Sequence, residues 1–223
     1  MLFKQLVVGT LCAGGAVAAG LMWWGGGAAT GSSGEVVAAA VTWQPEGFQP
    51  SPEQIKHMME EQAKPAPEHA NFKPLIGKWH ARMSFVEGPG QAPTVTEGSC
   101  TNEWVLGGKY VQMHYEGTVS MFGEEYPFKG MGLLGFDKVR GEYTMMWADS
   151  LSTSMIVSYG RPGENAGEIA LSGKATSPMG EMAMKHVYKI ESNDKHVLEF
   201  WQSMPGVEEM MKVGQIEYTR KGG

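Results

Sequence analysis

Apolar and polar residues alternate strictly in the stretch that follows Gly77. One face carries apolar residues and the other polar ones, with Trp79, Ala81, Met83 and Phe85 separated by Lys78, His80, Arg82 and Ser84. A period of two residues is typical of a half-buried β-strand. Gly77 lets the backbone turn sharply out of a preceding helix. We therefore expect the first strand of a β domain here, with Trp79 buried at the end that this helix covers.

Short turn sequences rich in Gly, Pro, Asn and Asp divide the rest of the chain into extended runs, as at Gly107-Gly108, Arg140-Gly141 and Asn193-Asp194. Runs separated by tight turns favour an antiparallel meander. Ten such runs are predicted, at about residues 78–87, 93–106, 109–121, 125–137, 142–150, 154–160, 167–175, 181–191, 196–204 and 210–220. Closure of the sheet removes its free edges. The fold prediction is a single all-β antiparallel barrel of about ten strands.

Two short helices are predicted before the barrel. Ser51-Pro52-Glu53 combines an N-cap residue, a proline in the first turn and an acidic residue, and Lys64-Pro65 ends the helix, which gives residues 52–63. A second helix is predicted over residues 67–76, and we expect the helices to pack at one end of the barrel. Residues 30–65 form a spacer that contains the first helix, and residues 66–221 form the barrel domain.

The N-terminal segment is predicted to be an export signal. Residues 6–24 are uncharged and almost wholly apolar behind Lys4, a pattern that lies between a cleaved signal peptide and a membrane-spanning anchor. Residues 1–29 are accordingly assigned to a signal peptide or signal anchor. The protein is expected to be exported, either released to the periplasm or anchored to the inner membrane through residues 6–24.

Composition and charge disfavour several partners and chemistries. The chain has 24 acidic against 18 basic residues and no basic patch, so nucleic acid is not an expected partner.

Cys12 lies in the export segment, and Cys100 is expected to be a buried small residue. The six histidines lack the spacing of a closed metal site. No nucleophile turn or ordered catalytic set is present, so no catalytic or metal-binding residue is assigned. The abundant methionine residues are expected to fill irregular gaps in the core and in the pocket.

Several motifs together carry a resemblance to a known family. They are Pro67-Glu68-His69, Leu75-Ile76-Gly77-Lys78-Trp79, Trp104-Val105-Leu106-Gly107-Gly108-Lys109-Tyr110, residues 130–137 (GMGLLGFD), residues 143–150 (YTMMWADS) and Ile216-Glu217-Tyr218-Thr219-Arg220. In this order they resemble the bacterial domain-of-unknown-function family 1579, over about residues 66–221. That family is similar to calycin-like barrels such as lipocalins and nitrobindins. The resemblance implies a barrel that holds a ligand, and it names neither the ligand nor a cofactor.

The functional prediction is a barrel that binds a small apolar or amphipathic molecule. The alternatives are a structural or interaction module with a filled barrel and, less favoured, an enzyme; the oligomeric state stays open. Aromatic residues with a few acids and one imidazole suit the lining of such a pocket. The expected lining residues are Trp104, His114, Tyr115, Trp147, Asp149, Glu199 and Trp201. Alternation allows only one of His114 and Tyr115 to face inward, whereas Glu199 and Trp201 face the same way.

Overall fold

The computed structural model describes residues 7–9, 20–22, 50–86, 88, 91–121, 123–162, 167–177, 180–203 and 209–222. The chain divides into two compact units, Met1–Met58 and Met59–Gly223. In the first unit, strands β1 (Val7–Gly9) and β2 (Gly20–Met22) pair antiparallel. The predicted export segment otherwise lies outside the described residues, so export stays a prediction. No helix in the described part of the chain has the length and apolar character needed to span a bilayer.

Helix α1 (Pro52–Ala63) begins where the sequence predicts. The Ser51 hydroxyl accepts a hydrogen bond from the Gln54 backbone N–H at 3.2 Å, and the Gln54 side chain accepts one from the Ser51 N–H at 2.7 Å. These reciprocal bonds satisfy two amide groups that the first turn leaves unpaired. No residue of α1 is buried, so this helix contributes no side chain to a hydrophobic core.

The second predicted helix is a 3₁₀ helix, Pro67–Leu75, rather than an α-helix. It buries His69, Phe72 and Leu75. Because Pro74 lacks a backbone N–H, it fits the end of a short 3₁₀ helix better than the interior of a longer α-helix. This helix covers one end of the barrel, which we call the closed end, and the chain enters the first barrel strand directly from it.

Ten antiparallel strands form a closed barrel in which each strand pairs with its neighbours in sequence and the last pairs with the first. This confirms the predicted topology. The strands are β3 (Gly77–Phe85), β4 (Thr94–Val105), β5 (Tyr110–Met121), β6 (Glu124–Asp137), β7 (Glu142–Asp149), β8 (Ile156–Gly160), β9 (Glu168–Ser177), β10 (Gly180–Ile190), β11 (Lys195–Gln202) and β12 (Met211–Arg220). Since β3 leaves the 3₁₀ helix at Gly77, odd-numbered strands run from the closed end toward the opposite end, here called the open end.

The densest core lies at the closed end. Trp79 is 0% exposed, and its indole N–H donates to the Leu75 carbonyl at 2.9 Å. The Asn102 side chain donates to the same carbonyl at 2.8 Å. Phe72 packs over Tyr143 with ring centroids 5.6 Å apart. The predicted burial of Trp79 beneath a covering helix is confirmed, because both hydrogen bonds join barrel strands to the last residue of that helix.

Candidate functional site: a cavity inside the barrel

The barrel contains a cavity of about 270 Å³ between the closed-end core and the open end. Much of its lining consists of sulfur-containing side chains, namely Met83, Cys100, Met113, Met121, Met145 and Met184. Aromatic residues, including Phe128, Trp147 and Phe200, supply most of the remaining wall. Methionine is flexible and polarisable and makes favourable contacts with aromatic rings. The lining therefore offers an adaptable, mainly apolar surface.

Tyr188 forms the floor of this cavity. Its side chain crosses the barrel from β10, and its hydroxyl lies 3.5 Å from the Met113 sulfur on β5 and 3.5 Å from the Met145 sulfur on β7. Burial raises the pKa of Tyr188 above its ordinary value, so the phenol stays neutral at pH 7. The floor separates the cavity from the aromatic core at the closed end.

Tyr115 projects into the cavity from β5 and is 1% exposed. Its hydroxyl lies against two glycines, since a Cβ atom placed on Gly98 would be 2.5 Å from this oxygen and one on Gly117 would be 3.1 Å away. Any side chain at Gly98 would displace the hydroxyl. Burial is the largest of the causes that raise the pKa of Tyr115 to about 12, and the nearby Cys100 and Glu97 add to it. The phenol is therefore a neutral hydrogen-bonding group in the wall.

His186 lines the cavity from β10 and is 5% exposed. Its ring meets that of Phe200 edge to face, with centroids 5.7 Å apart and an interplanar angle of 90°. Burial lowers the pKa of His186 to about 4. Burial likewise raises the pKa of the Cys100 thiol to about 12. At pH 7 the imidazole and the thiol are both uncharged, and the thiol is not a reactive thiolate.

Asp149 is the acidic residue of the lining. One carboxylate oxygen accepts the Trp147 indole N–H at 3.1 Å, and the other accepts the Leu151 backbone N–H at 3.0 Å. Both oxygens are thus engaged by the protein wall. Among the described residues no group of three or more His, Cys, Asp or Glu side chains forms a metal site.

The structure brings three of the predicted lining residues, Tyr115, Trp147 and Asp149, to the cavity. It does not bring the other four there. Trp104 faces inward but lies at the closed end, where its ring is 6.3 Å from that of Phe72. His114 is exposed on the outer face, because its neighbour Tyr115 takes the inward position.

Glu199 and Trp201 are placed on the outer face, which corrects their expected inward position. Phe200 lies between them, pairs with His186 and lines the cavity, so alternation turns both neighbours outward. Glu199 is still only 7% exposed. Lys212 and Lys189 approach its carboxylate at 2.6 and 3.0 Å. Its partner residue on β12 is Gln215.

Burial disfavours the charged form of Glu199, yet hydrogen bonds from Lys212, Lys189 and Trp201 outweigh it and lower the pKa to about 2. A lowered folded-state pKa contributes stability above the unfolded value, and that stability is lost as pH falls through the folded value. We expect Glu199→Gln to reduce the free energy of unfolding by about 1–2 kcal/mol at pH 7. The deficit should shrink below about pH 4.5 and vanish near pH 2. Urea unfolding of both proteins across this range measures it.

The matched control for this prediction is Glu116→Gln. Glu116 is exposed on the outer face and its carboxylate lies 3.0 Å from the Lys129 ammonium. An exposed pair of this kind is worth less than about 1 kcal/mol. A Glu199→Gln deficit that does not change between pH 7 and pH 2, or one matched by Glu116→Gln, contradicts the assignment of a buried ionic cluster.

His186 and Tyr188 were not among the predicted site residues, although a signal for them is present in the sequence. Lys185 and Lys189 mark one face of β10 as solvated, which leaves His186 and Tyr188 on the inner face. The contacts of Tyr188 with Met113 and Met145 join residues 75 and 43 positions apart. Such contacts depend on barrel closure and are not visible in any local pattern.

A second, larger depression of about 740 Å³ lies on the outer surface, where Lys138, Tyr110 and Tyr159 are among its lining residues. Tyr110 and Tyr159 are exposed. The Lys138 ammonium donates to the Glu61 and Lys64 backbone carbonyls, so this cation is already engaged. The cavity inside the barrel has the more apolar lining of the two and is the stronger candidate for a specific site.

A closed ten-stranded antiparallel barrel with a mainly apolar internal cavity defines the class of this protein. The chain belongs to the family described as protein of unknown function (DUF1579), whose model matches residues 64–220. The family resemblance read from the sequence motifs is thereby confirmed.

Solved structures that are similar to the chain include the following two. Rv2717c from M. tuberculosis aligns with a TM-score of 0.53 and 15% identity, over 71% of this chain and 100% of that one. This similarity supports a shared fold alone. The S-type phycobiliprotein lyase CPES from Guillardia theta aligns with a TM-score of 0.45 and 11% identity, over 74% of this chain and 97% of that one, which is too low to establish a common fold. A search of curated proteins found no match.

Proposed function

We propose that the barrel binds one small, largely apolar molecule in its internal cavity. The space of about 270 Å³ inside the barrel is the observation that supports the proposal most. Protein interiors are close-packed and rarely contain voids much larger than a water molecule. Space of this size inside a barrel is therefore expected where a ligand is held, and it disfavours the alternative of a module with a filled interior.

The volume sets the size of the molecule. An apolar cavity of about 150 Å³ binds benzene, and scaling to the 270 Å³ of this barrel gives roughly eleven non-hydrogen atoms. The chemistry of the wall favours binding over catalysis. Burial keeps His186, Tyr115 and Cys100 in their neutral forms at pH 7, so these three side chains offer van der Waals contact and hydrogen bonding. The one acidic residue of the lining, Asp149, has both carboxylate oxygens bonded to the protein.

Naphthalene has the right size to test this proposal by calorimetric titration of the full chain. We expect saturable binding at one site per chain. Val119 lines the cavity toward the open end, and Val119→Trp places an indole in the space, which should weaken binding about tenfold or more. Val95 is exposed on the outer face of β4, and Val95→Trp is the matched control.

The control variant should bind naphthalene within about twofold of the wild type, since surface substitutions away from the site have small effects. Far-UV circular dichroism of each variant establishes that the barrel is intact. Absence of saturable binding by the wild type, or equal affinity of the Val119→Trp variant and the wild type, refutes the proposed function.

A further inference from the structure

Four buried side-chain polar atoms in the described part of the chain have no hydrogen-bond partner, and two of them, on Ser158 and His196, do not belong to the cavity lining. The other two are the Tyr115 hydroxyl and Nδ1 of His186. Both belong to residues that are more than nine-tenths buried and that line the cavity. A buried polar group without a partner carries its full desolvation cost, so native proteins nearly always satisfy such groups. Two of them around one cavity require an explanation.

The hydroxyl of Tyr115 is accommodated by the surrounding backbone. Its oxygen occupies space that only glycine at position 98 leaves free, because a Cβ atom there would lie 2.5 Å away. The Tyr115 ring also packs edge to face on Phe128 with centroids 5.6 Å apart, a contact that phenylalanine would make as well. Packing therefore accounts for the ring of Tyr115 and leaves the hydroxyl without a structural role.

The two residues lie on opposite walls of the barrel, on the same side of the Tyr188 floor. β5 and β10 are five steps apart in the ring of ten strands, on opposite walls. Tyr188 of β10 touches Met113 of β5. The next inward-facing residue toward the open end is His186 on β10 and Tyr115 on β5, each about 6–7 Å farther along its strand. Both polar groups thus lie on the cavity side of the Tyr188 floor.

The lining has no basic side chain with which to hold an anion. Neither lysine nor arginine occurs among the described residues that line the cavity. Both oxygens of Asp149 are already bonded to Trp147 and Leu151. A buried charge without a partner is strongly unfavourable. A carboxylate or sulfonate in this cavity would have no counter-ion, whereas an uncharged donor or acceptor would meet Tyr115 and His186.

We propose that the cavity selects an uncharged molecule with an apolar body and one hydroxyl-like polar group, which hydrogen-bonds to the Tyr115 hydroxyl or to the His186 imidazole. This inference rests on the proposed function and adds the chemical class of the ligand. A hydroxyl both donates and accepts, so it satisfies a neutral imidazole nitrogen or a phenol equally well. We therefore expect the Tyr115 hydroxyl and the His186 imidazole to favour an alcohol or a phenol over a plain hydrocarbon and over a fatty-acid-like anion.

Three ligands with the same two-ring body separate these possibilities in calorimetric titrations of the full chain at pH 7. They are naphthalene, 1-naphthol and 1-naphthoate. The wild type should bind 1-naphthol about fivefold or more tighter than naphthalene, the usual size of one net hydrogen bond. It should bind 1-naphthoate at least about tenfold more weakly than 1-naphthol, because the anion is buried without a counter-ion.

Two variants and their matched controls locate the polar contact. Tyr115→Phe or His186→Leu, or both, should lower the ratio of 1-naphthol affinity to naphthalene affinity about fivefold. Tyr159→Phe and His114→Leu make the same changes at exposed positions of the outer face and should leave both affinities unchanged. Because the Tyr115 hydroxyl has no partner among the described residues, Tyr115→Phe should not lower the melting temperature.

The outcomes separate this inference from the proposed function. If naphthalene binds and 1-naphthol has no advantage, the hydroxyl-like group is refuted and the binding barrel stands. Equal affinity for 1-naphthoate and 1-naphthol, or failure of both Tyr115→Phe and His186→Leu to weaken 1-naphthol selectively, also overturns the inference. If neither naphthalene nor 1-naphthol binds, the proposed function and this inference fail together.

Discussion

Replacement of Trp79 by alanine is expected to lower the free energy of unfolding by about 3–5 kcal/mol, the usual cost of truncating a fully buried tryptophan. The indole is 0% exposed and bonds to Leu75 in the covering 3₁₀ helix. Its ring also meets the His196 ring edge to face, with centroids 4.4 Å apart, and the Arg220 Cζ atom lies 4.2 Å from the ring centroid of Trp79. Removal of the indole leaves a cavity and breaks its contacts with Leu75, His196 and Arg220 at the closed end. Urea-induced unfolding measures the loss.

Trp201→Ala is the control for this prediction. Trp201 is half-buried on the outer face, where its indole N–H lies 3.3 Å from a Glu199 oxygen. We expect this variant to lose only about 1–2 kcal/mol, since it removes partial burial and one hydrogen bond. A similar loss in both variants would show that the closed end does not carry the main core.

Arg220→Met is expected to lower the free energy of unfolding by about 2–3 kcal/mol. The Arg220 guanidinium donates to the carbonyls of Ile76 at 2.7 Å, Pro74 at 3.1 Å and Asn193 at 2.7 Å, and it covers the Trp79 ring. One side chain thereby joins the last strand, the covering helix and the turn between β10 and β11. Methionine keeps the apolar stem and removes every donor.

The matched control is Arg82→Met, which makes the same change on the outer face of β3. Arg82 is exposed and its closest carboxylate, that of Glu97, is 3.8 Å away. Ion pairs of this type contribute less than about 1 kcal/mol. Chemical unfolding of the two variants should therefore give clearly different midpoints. Equal midpoints would mean that the Arg220 bonds do not hold the covering helix to the barrel.

Local patterns predict much of this fold. The first run, expected at residues 78–87, is β3 at Gly77–Phe85, and the expected 142–150 is β7 at Glu142–Asp149. Alternation and turn residues are properties of a few neighbouring positions, so they are visible without tertiary contacts. The covering helix was correctly located but is of the 3₁₀ type, a difference that depends on how Phe72 and Leu75 pack.

The site was less predictable because the sequence does not mark which face of each strand is inside. Of the seven expected residues, Tyr115, Trp147 and Asp149 lie at the cavity. In β11, however, both faces carry large residues, and the pairing of Phe200 with His186 turns Glu199 outward. Burial of Glu199 on the outer face depends on Lys189 and Lys212. Whether the polar atoms of Tyr115 and His186 find hydrogen-bond partners depends on which residues lie near them across the barrel. A local sequence pattern does not predict such contacts.

Methyl NMR of the full chain labelled with ¹³C at its methionine methyl groups tests the central claim most directly, because methionines occur both inside and outside the barrel. On titration with naphthalene, ring currents should shift the cavity methyls of Met83, Met113, Met121, Met145 and Met184. The methyls of the exposed residues Met58, Met59, Met131, Met155 and Met211 should not move. Shifts confined to the exposed set, or equal in both sets, or absent from both, would contradict a ligand-binding cavity inside this barrel.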